Sequence, residues 1–168
     1  MRVLESEADG YAAFLNALRS LHLAARDFGA ELGLDLQPPL DLLERDLVDL
    51  GVPLAPVPRT SLELRTPAEA LGLVYVLEDS TLGGTTAARR VRALWNVLGR
   101  GNPPLRYLSS EGLDVGARWR AFVRCVDAFS AAHPQAQSAV IAGARRAHAE
   151  LNAQLGRTWP RASAELTS

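Results

Sequence analysis

One long stretch, residues 66–98, most strongly constrains how this chain folds. It opens with a strong helix start: Thr66 can cap the first turn, Pro67 suits the first helical position, and Glu69 stands three residues after the cap. Apolar side chains then recur at helical spacing as far as Leu98. The pattern therefore predicts a helix of many turns.

The middle of this helix has an unusual composition. Residues 79–86 read DSTLGGTT, although each glycine inside a helix costs about 1 kcal/mol relative to alanine. Two interpretations stay open from the residues alone. In the first, a kinked helix exposes its backbone at Gly83 and Gly84 to a large flat ligand, with the hydroxyls of Ser80, Thr81 and Thr85 nearby. In the second, the break is a packing kink, or two helices are joined at Gly83 and Gly84.

The residues ALGLVYVLEDSTLGGTTAARRV resemble the distal helix of bacterial biliverdin-forming heme oxygenases, whose pattern is approximately ALGxLYVLEGSxLGGxxxARxx. The match is close over residues 69–90, and a weaker similarity extends from Gly10 to about Leu155. The resemblance implies one all-α, heme oxygenase-like domain over residues 1–168, a helical bundle with a kinked central helix. In such a fold heme is held between a proximal helix and this distal helix.

The resemblance also implies an activity, a cofactor and site residues. The family cleaves heme to biliverdin, iron and carbon monoxide with electrons from a separate reductase. On the distal helix the resemblance implies proton-delivering groups, Asp79, Ser80 and Thr81, and residues that contact the tetrapyrrole, Tyr75, Gly83 and Gly84. Arg120 and Arg124 resemble the basic residues that bind heme propionates, because guanidinium groups pair well with carboxylates. From the residues alone, a solvated helix face is the favoured interpretation of these two arginines and of Arg118.

Two departures from the family weaken the enzymatic interpretation. The family's proximal histidine lies well upstream of a Gly-Tyr-x-x-Phe element, here residues 10–14, and the sequence begins at Met1. We therefore expect the proximal segment to be missing. The second departure is Asp79, which stands where the family has glycine, and we expect a carboxylate there to obstruct the distal pocket rather than to supply protons.

These departures predict weak heme binding and little or no turnover. The alternative is a non-catalytic member of the fold that binds a tetrapyrrole or a protein partner. A third interpretation is an unrelated helical scaffold in which the glycine kink is coincidental.

The histidines offer few iron ligands. His22 lies beside the apolar stripe of the first helix and is predicted to be half-buried. His148 follows the apolar spacing of the last helix, which predicts that it faces the core. Its residue type and position make it the fallback ligand, although such a histidine is more often a hydrogen-bonded core residue. No His-x-x-x-His or Glu-x-x-His pair is present, which argues against a di-iron bundle.

Four further helices are predicted from the spacing of apolar residues and from residues that start or end helices: residues 9–32, 40–50, 114–129 and one that begins at His133. Asp9 and Asp114 are the expected caps, and Gly33 ends the first helix. The third of these helices is expected to turn Trp119, Phe122 and Val123 inward. Residues 52–65 are expected to form a surface connection, residues 105–110 show no clear pattern, and residues 158–168 are expected to form a flexible tail.

Composition limits the remaining classes. With 168 residues, 48% of them hydrophobic, the chain can form one domain with a substantial core. A net charge of −1 excludes a strong electrostatic attraction to nucleic acid or to an anionic membrane. The single cysteine, Cys125, excludes an internal disulfide. The sequence shows neither a long apolar run nor a basic leader, so we expect a cytoplasmic protein.

Overall fold

The chain folds into helices around one core. The computed structural model describes residues 2–54 and 62–158, with side chains from 10–54 and 62–154. The helices are α1 (Arg2–Arg26), α2 (Gly29–Leu32), α3 (Gln37–Asp49), α4 (Pro67–Val97), α5 (Val115–Ala132) and α6 (Gln137–Thr158), with a 3₁₀ turn at Pro134–Ala136. No strand occurs within these ranges, so the prediction of an all-α, single-domain fold is confirmed for the described residues.

The central helix α4 begins where its sequence predicted. The hydroxyl of Thr66 accepts a hydrogen bond from the Glu69 N–H at 3.2 Å, and the Glu69 carboxylate accepts one from the Arg65 N–H at 2.8 Å. These two bonds satisfy backbone donors that a helix start leaves unpaired. The helix then continues without interruption through Gly83 and Gly84. The bend of its axis at these residues stays a prediction.

Other helix boundaries differ from the predicted ones. The first helix begins at Arg2 instead of Asp9 and ends at Arg26, and the separate turn α2 follows it. Helix α3 begins before the predicted residue 40 because its two prolines occupy the first turn, where a missing N–H has no cost. Asp114 caps α5 as predicted, by accepting a hydrogen bond from the Ala117 N–H at 2.8 Å.

Two glycines allow α4 and α6 to pack closely. A Cβ atom on Gly72 would lie 2.0 Å from the carbonyl oxygen of Val140, and one on Gly143 would lie 2.1 Å from that of Glu69. Only glycine therefore permits this approach of the two backbones. Around the crossing, the apolar residues of α1, α3 and α4 form the core.

Helix α5 is less buried than its apolar spacing predicted. Only Phe122 of this helix is buried, whereas Val123 retains 38% of its surface exposed. The prediction that Val123 points inward is wrong, because it lies about 100° from Phe122 around the helix and so points sideways.

Parts of the predicted connection and tail, residues 55–61 and 159–168, lie outside the described residues. None of the helices within the described ranges is long and apolar enough to cross a membrane.

Candidate functional site

One side of α4 is open to solvent along its middle. Four exposed residues follow one another along this side at spacings of three and four: Tyr75, Asp79, Leu82 and Thr86. Residues at this spacing lie on the same side of a helix. Together with the neighbouring Gly83, they define what we call the α4 face. It presents two large apolar side chains to solvent, since Tyr75 is 41% and Leu82 45% exposed.

Aromatic residues of α5 border the first turn of this face. The Tyr75 ring centroid lies 6.4 Å from that of Trp119 and 6.3 Å from that of Phe122. Trp119 and Phe122 lie 5.5 Å apart. These separations are typical of interacting aromatic pairs. The α4 face therefore has an aromatic boundary at its N-terminal end.

The two adjacent glycines have different surroundings. A Cβ atom on Gly84 would lie 2.3 Å from the carbonyl oxygen of Leu108, so the close approach at Gly84 is made by the chain's own backbone. A Cβ atom on Gly83 would meet nothing within 4 Å, and Gly83 is exposed. Packing therefore accounts for Gly84, which was predicted to contact a tetrapyrrole. Gly83 alone leaves open backbone on the α4 face.

The hydroxyls of Ser80 and Thr81 point away from the α4 face. Ser80 Oγ donates to the Leu77 carbonyl at 2.7 Å, and Thr81 Oγ1 donates to the same oxygen at 3.0 Å. Thr81 is buried, and Ser80 Oγ lies 3.1 Å from the hydroxyl of Tyr107. The predicted proton-delivery set is thus divided: Asp79 lies exposed on the α4 face, while the two hydroxyls face the interior.

A buried histidine completes this interior network. His22 Nε2 lies 3.1 Å from the Tyr107 hydroxyl, and His22 is only 3% exposed. The prediction of a half-buried His22 is therefore wrong, because Tyr107 from a distant loop covers it. Burial, and then the positive charge of Arg118, lower the pKa of His22 to about 3. Burial also raises the pKa of Tyr107 to about 12. Both groups are therefore neutral near neutral pH.

The loop that carries Tyr107 is anchored by a buried carboxylate of α3. Asp46 is fully buried and accepts hydrogen bonds from the backbone N–H groups of Arg106 at 3.1 Å and Tyr107 at 2.9 Å. It also accepts one from the Arg106 guanidinium at 3.2 Å. The sequence contained one signal of this anchor, an aspartate beside the apolar stripe of α3. Nothing in the pattern of residues 105–110 predicted the role of Tyr107.

An ion pair between Glu78 and Arg118 holds α5 against α4. Their side chains, 8% and 16% exposed, are joined by a hydrogen bond of 2.5 Å. Arg118 also donates to the Asp35 carbonyl at 2.9 Å. The interpretation of Arg118 as part of a solvated face is therefore wrong, because it lies on the side of α5 that meets α4. This contact positions Trp119 beside the α4 face.

His148 does not face the core. Its neighbour Ala147 is fully buried, but His148, about 100° further around the helix, is exposed. The prediction that His148 is a core-facing fallback ligand is wrong in its placement. The remaining histidine, His133, is exposed and stacks on Phe129 with ring centroids 4.6 Å apart. Of the three, only His22 lies in the interior.

The predicted propionate-binding arginines lie away from the α4 face. Arg120 and Arg124 are exposed, two residues before and after the buried Phe122. Each is therefore about 160° from Phe122 around α5, on the side turned away from α4. The structure does not bring them together with Tyr75 or Leu82. Arg89 and Arg90, which the sequence interpretation did not single out, are exposed on α4 itself.

No group of three or more histidine, cysteine, aspartate or glutamate side chains among the described residues is arranged to hold a metal ion.

Comparison of the chain with models of known protein families, with characterised proteins and with solved structures finds no match. The resemblance to heme oxygenases therefore rests on the residues of α4.

Proposed function

We propose that this chain binds a tetrapyrrole, heme according to the resemblance, flat against the α4 face, and that it turns heme over weakly or not at all. The observation on which the proposal rests is the exposure of Tyr75, Leu82 and Gly83 on one side of the helix that resembles a heme-binding helix. Tyr75 and Leu82 are exposed on the same side of α4 with Asp79 between them, and apolar side chains grouped on one face mark a binding site more often than isolated ones do.

The α4 face fits a flat macrocycle. At Gly83 nothing obstructs the backbone within 4 Å of a Cβ position, so a ring can lie in contact with the helix. Leu82 offers an aliphatic surface, and Tyr75 with Trp119 offers aromatic edges. Asp79 is the one charged residue of the face, and its exposed carboxylate lowers the expected affinity for a dicarboxylate ligand.

The same face does not fit the iron of heme with a histidine ligand. The chain has three histidines, and no hydrogen bond or ring contact joins any of them to a described residue of the α4 face. His22 is buried behind α4, with Tyr107 between it and Ser80. The residues therefore support binding of the macrocycle, and we derive no oxygenation step. A separate reductase is implied as a partner only if turnover occurs.

A protein-interaction role is the second candidate. The exposed side chains of Tyr75, Leu82 and Val123 would also suit an apolar helix of another protein. The two candidates differ in their ligand. A tetrapyrrole-binding protein shows absorbance changes on titration with hemin alone, whereas a protein-interaction surface does not.

Titration of the purified chain with hemin, followed at the Soret band, tests the proposal. Leu82→Asp should weaken binding at least about tenfold, because it places a second carboxylate on the α4 face. Ile141→Asp on α6 is a matched control, since Ile141 and Leu82 are both 45% exposed. Equal affinity of the two variants, or no saturable change with the unsubstituted chain, would show that hemin does not bind to the α4 face.

A further inference from the structure

We infer that Arg89 and Arg90 receive the carboxylates of the tetrapyrrole and so set its direction along α4. This inference rests on the proposed function, and it names the anionic end of the same site. The apolar contacts that we propose between the tetrapyrrole and Leu82 or Tyr75 remain part of this site.

The geometry of α4 places the two arginines beyond the C-terminal end of the α4 face. Arg89 is seven residues after Leu82, and Arg90 is seven after Gly83. Seven residues correspond to nearly two full turns and about 10 Å along the axis, so each pair shares one side of the helix. The Cα atoms of Arg89 and Arg90 therefore lie on either side of the line that continues from Tyr75 through Leu82 and Thr86. A long, flexible side chain can reach back along this line toward a ligand.

Both arginines have unoccupied hydrogen-bonding capacity. Each is exposed, and neither forms an ion pair or hydrogen bond with another described residue. The residues four before and four after them on α4 are threonines, alanine and leucine, namely Thr85, Thr86, Ala93 and Leu94. No acidic neighbour on their own helix therefore competes for them at helical spacing.

The resulting surface has two chemically different ends. Tyr75 and Trp119 form an aromatic end, and Arg89 with Arg90 forms a cationic end. A tetrapyrrole with propionates has the same division, because its carboxylates lie at one edge of an otherwise apolar disc. Matching the ends orients the disc with its apolar edge toward Tyr75 and its carboxylates toward Arg89 and Arg90.

Arg120 and Arg124 provide the matched comparison. They are likewise two exposed arginines close in sequence, but they lie on the side of α5 turned away from α4. One Arg120 nitrogen lies only 3.1 Å from the Cβ position of Gly116, so its side chain lies along α5. Removal of this pair makes the same change in net charge without altering the cationic end of the site.

The test combines two ligands with three proteins. Protoporphyrin IX and its dimethyl ester are titrated in the same dilute non-ionic detergent into the unsubstituted chain, Arg89→Gln/Arg90→Gln and Arg120→Gln/Arg124→Gln. Quenching of tryptophan fluorescence reports binding, and circular dichroism confirms that the variants fold. We expect Arg89→Gln/Arg90→Gln to bind the diacid about five- to tenfold more weakly, since exposed ion pairs are individually weak. Its affinity for the ester should be unchanged.

Each other outcome overturns the inference in a distinct way. A loss confined to Arg120→Gln/Arg124→Gln would place the carboxylates on α5, as the resemblance implies. Equal losses for the diacid and the ester would show that Arg89 and Arg90 do not contact the carboxylates. Binding of the diacid that no variant changes would defeat the inference while leaving the proposed function intact. No binding of either ligand by the unsubstituted chain would defeat both.

Discussion

The hydroxyl of Tyr107 lies 3.1 Å from Nε2 of His22, a hydrogen bond buried inside the bundle between residues 85 positions apart in the chain. The same hydroxyl lies 3.1 Å from Ser80 Oγ. One phenol therefore joins α1 to the middle of α4. Because the network lies behind the α4 face, it stabilises the helix at the proposed site without reaching that face.

Removing this hydroxyl should destabilise the fold. Tyr107→Phe leaves His22 Nε2 buried without its partner, which should lower the free energy of unfolding by about 1–3 kcal/mol. Urea denaturation measures the change. Tyr75→Phe is the control, because Tyr75 is 41% exposed and should change stability by less than about 0.5 kcal/mol. Equal effects of the two substitutions would contradict a structural role for the Tyr107 hydroxyl.

His22 should make stability depend on pH. Burial and Arg118 lower its folded-state pKa to about 3, whereas an unfolded histidine has a pKa of about 6.5. Between these values the unfolded chain binds more protons, so stability falls as pH falls, by at most about 1.4 kcal/mol per pH unit. The measurement is the urea midpoint as a function of pH, for the unsubstituted chain, for His22→Gln and for the exposed-site control His148→Gln. The difference between His22→Gln and the other two separates the effect of His22 from that of carboxyls such as Asp46. An identical pH slope in all three would exclude His22 as its source.

The two adjacent glycines of α4, Gly83 and Gly84, should respond oppositely to alanine. Gly84→Ala should destabilise the protein by about 1–3 kcal/mol, because its Cβ would overlap the Leu108 backbone. Gly83→Ala meets no atom and should increase stability by up to about 1 kcal/mol through helix propensity. Thermal unfolding distinguishes them. If Gly83→Ala also weakens hemin binding while it stabilises the fold, Gly83 acts through ligand contact; an unchanged hemin affinity would argue against contact of the ring with this backbone.

Breaking the ion pair of Glu78 should release α5 from α4. Glu78→Gln leaves the largely buried Arg118 guanidinium without its counter-ion, which should cost about 2–4 kcal/mol. Arg146→Gln is the comparison, because the Arg146 side chain is 40% exposed in its pair with Glu69 and should contribute less than about 1 kcal/mol. Urea midpoints for both variants would reveal the difference. A loss for Glu78→Gln no greater than for Arg146→Gln would mean that α5 is held by its apolar contacts instead.

Turnover of hemin in a reductase-coupled assay should be slow or undetectable. Asp79→Gly restores the glycine of the family pattern and removes the carboxylate from the α4 face. It should therefore strengthen hemin binding severalfold. Asp127→Gly on α5 is the charge-matched control. His148→Ala should leave the Soret band unchanged, because His148 is exposed on α6. Biliverdin formation that is abolished by His148→Ala would contradict this account and identify an unusual iron ligand.

Local patterns in the sequence were sufficient for α4 and for the start of α5, but not for the start of α1 or for the separate turn α2. Spacing of apolar residues and capping signals predicted α4 from Thr66 to Leu98 and α5 from Asp114, because hydrogen bonds and side-chain period within one helix depend on nearby residues. The same local information identified Gly83 and Gly84 as unusual. It did not distinguish them, since their difference lies in Leu108, which packs against only one of them.

The composition of the site depended on tertiary contacts. Which side of α4 faces solvent follows from the packing of α1, α5, α6 and the Tyr107 loop around it, and no periodicity within α4 specifies those neighbours. A position on a helix becomes buried only when another element covers it. For this reason the sequence interpretation misplaced, or left ambiguous, His22, His148, Arg118 and Arg120. Residue spacing and composition specify a helical bundle with an unusual central helix. The inward packing of Gly84 and Ser80 depends instead on contacts between helices, and so does the exposure of Tyr75, Leu82 and Gly83. Burial is a property of helix–helix contact and not of one helix alone.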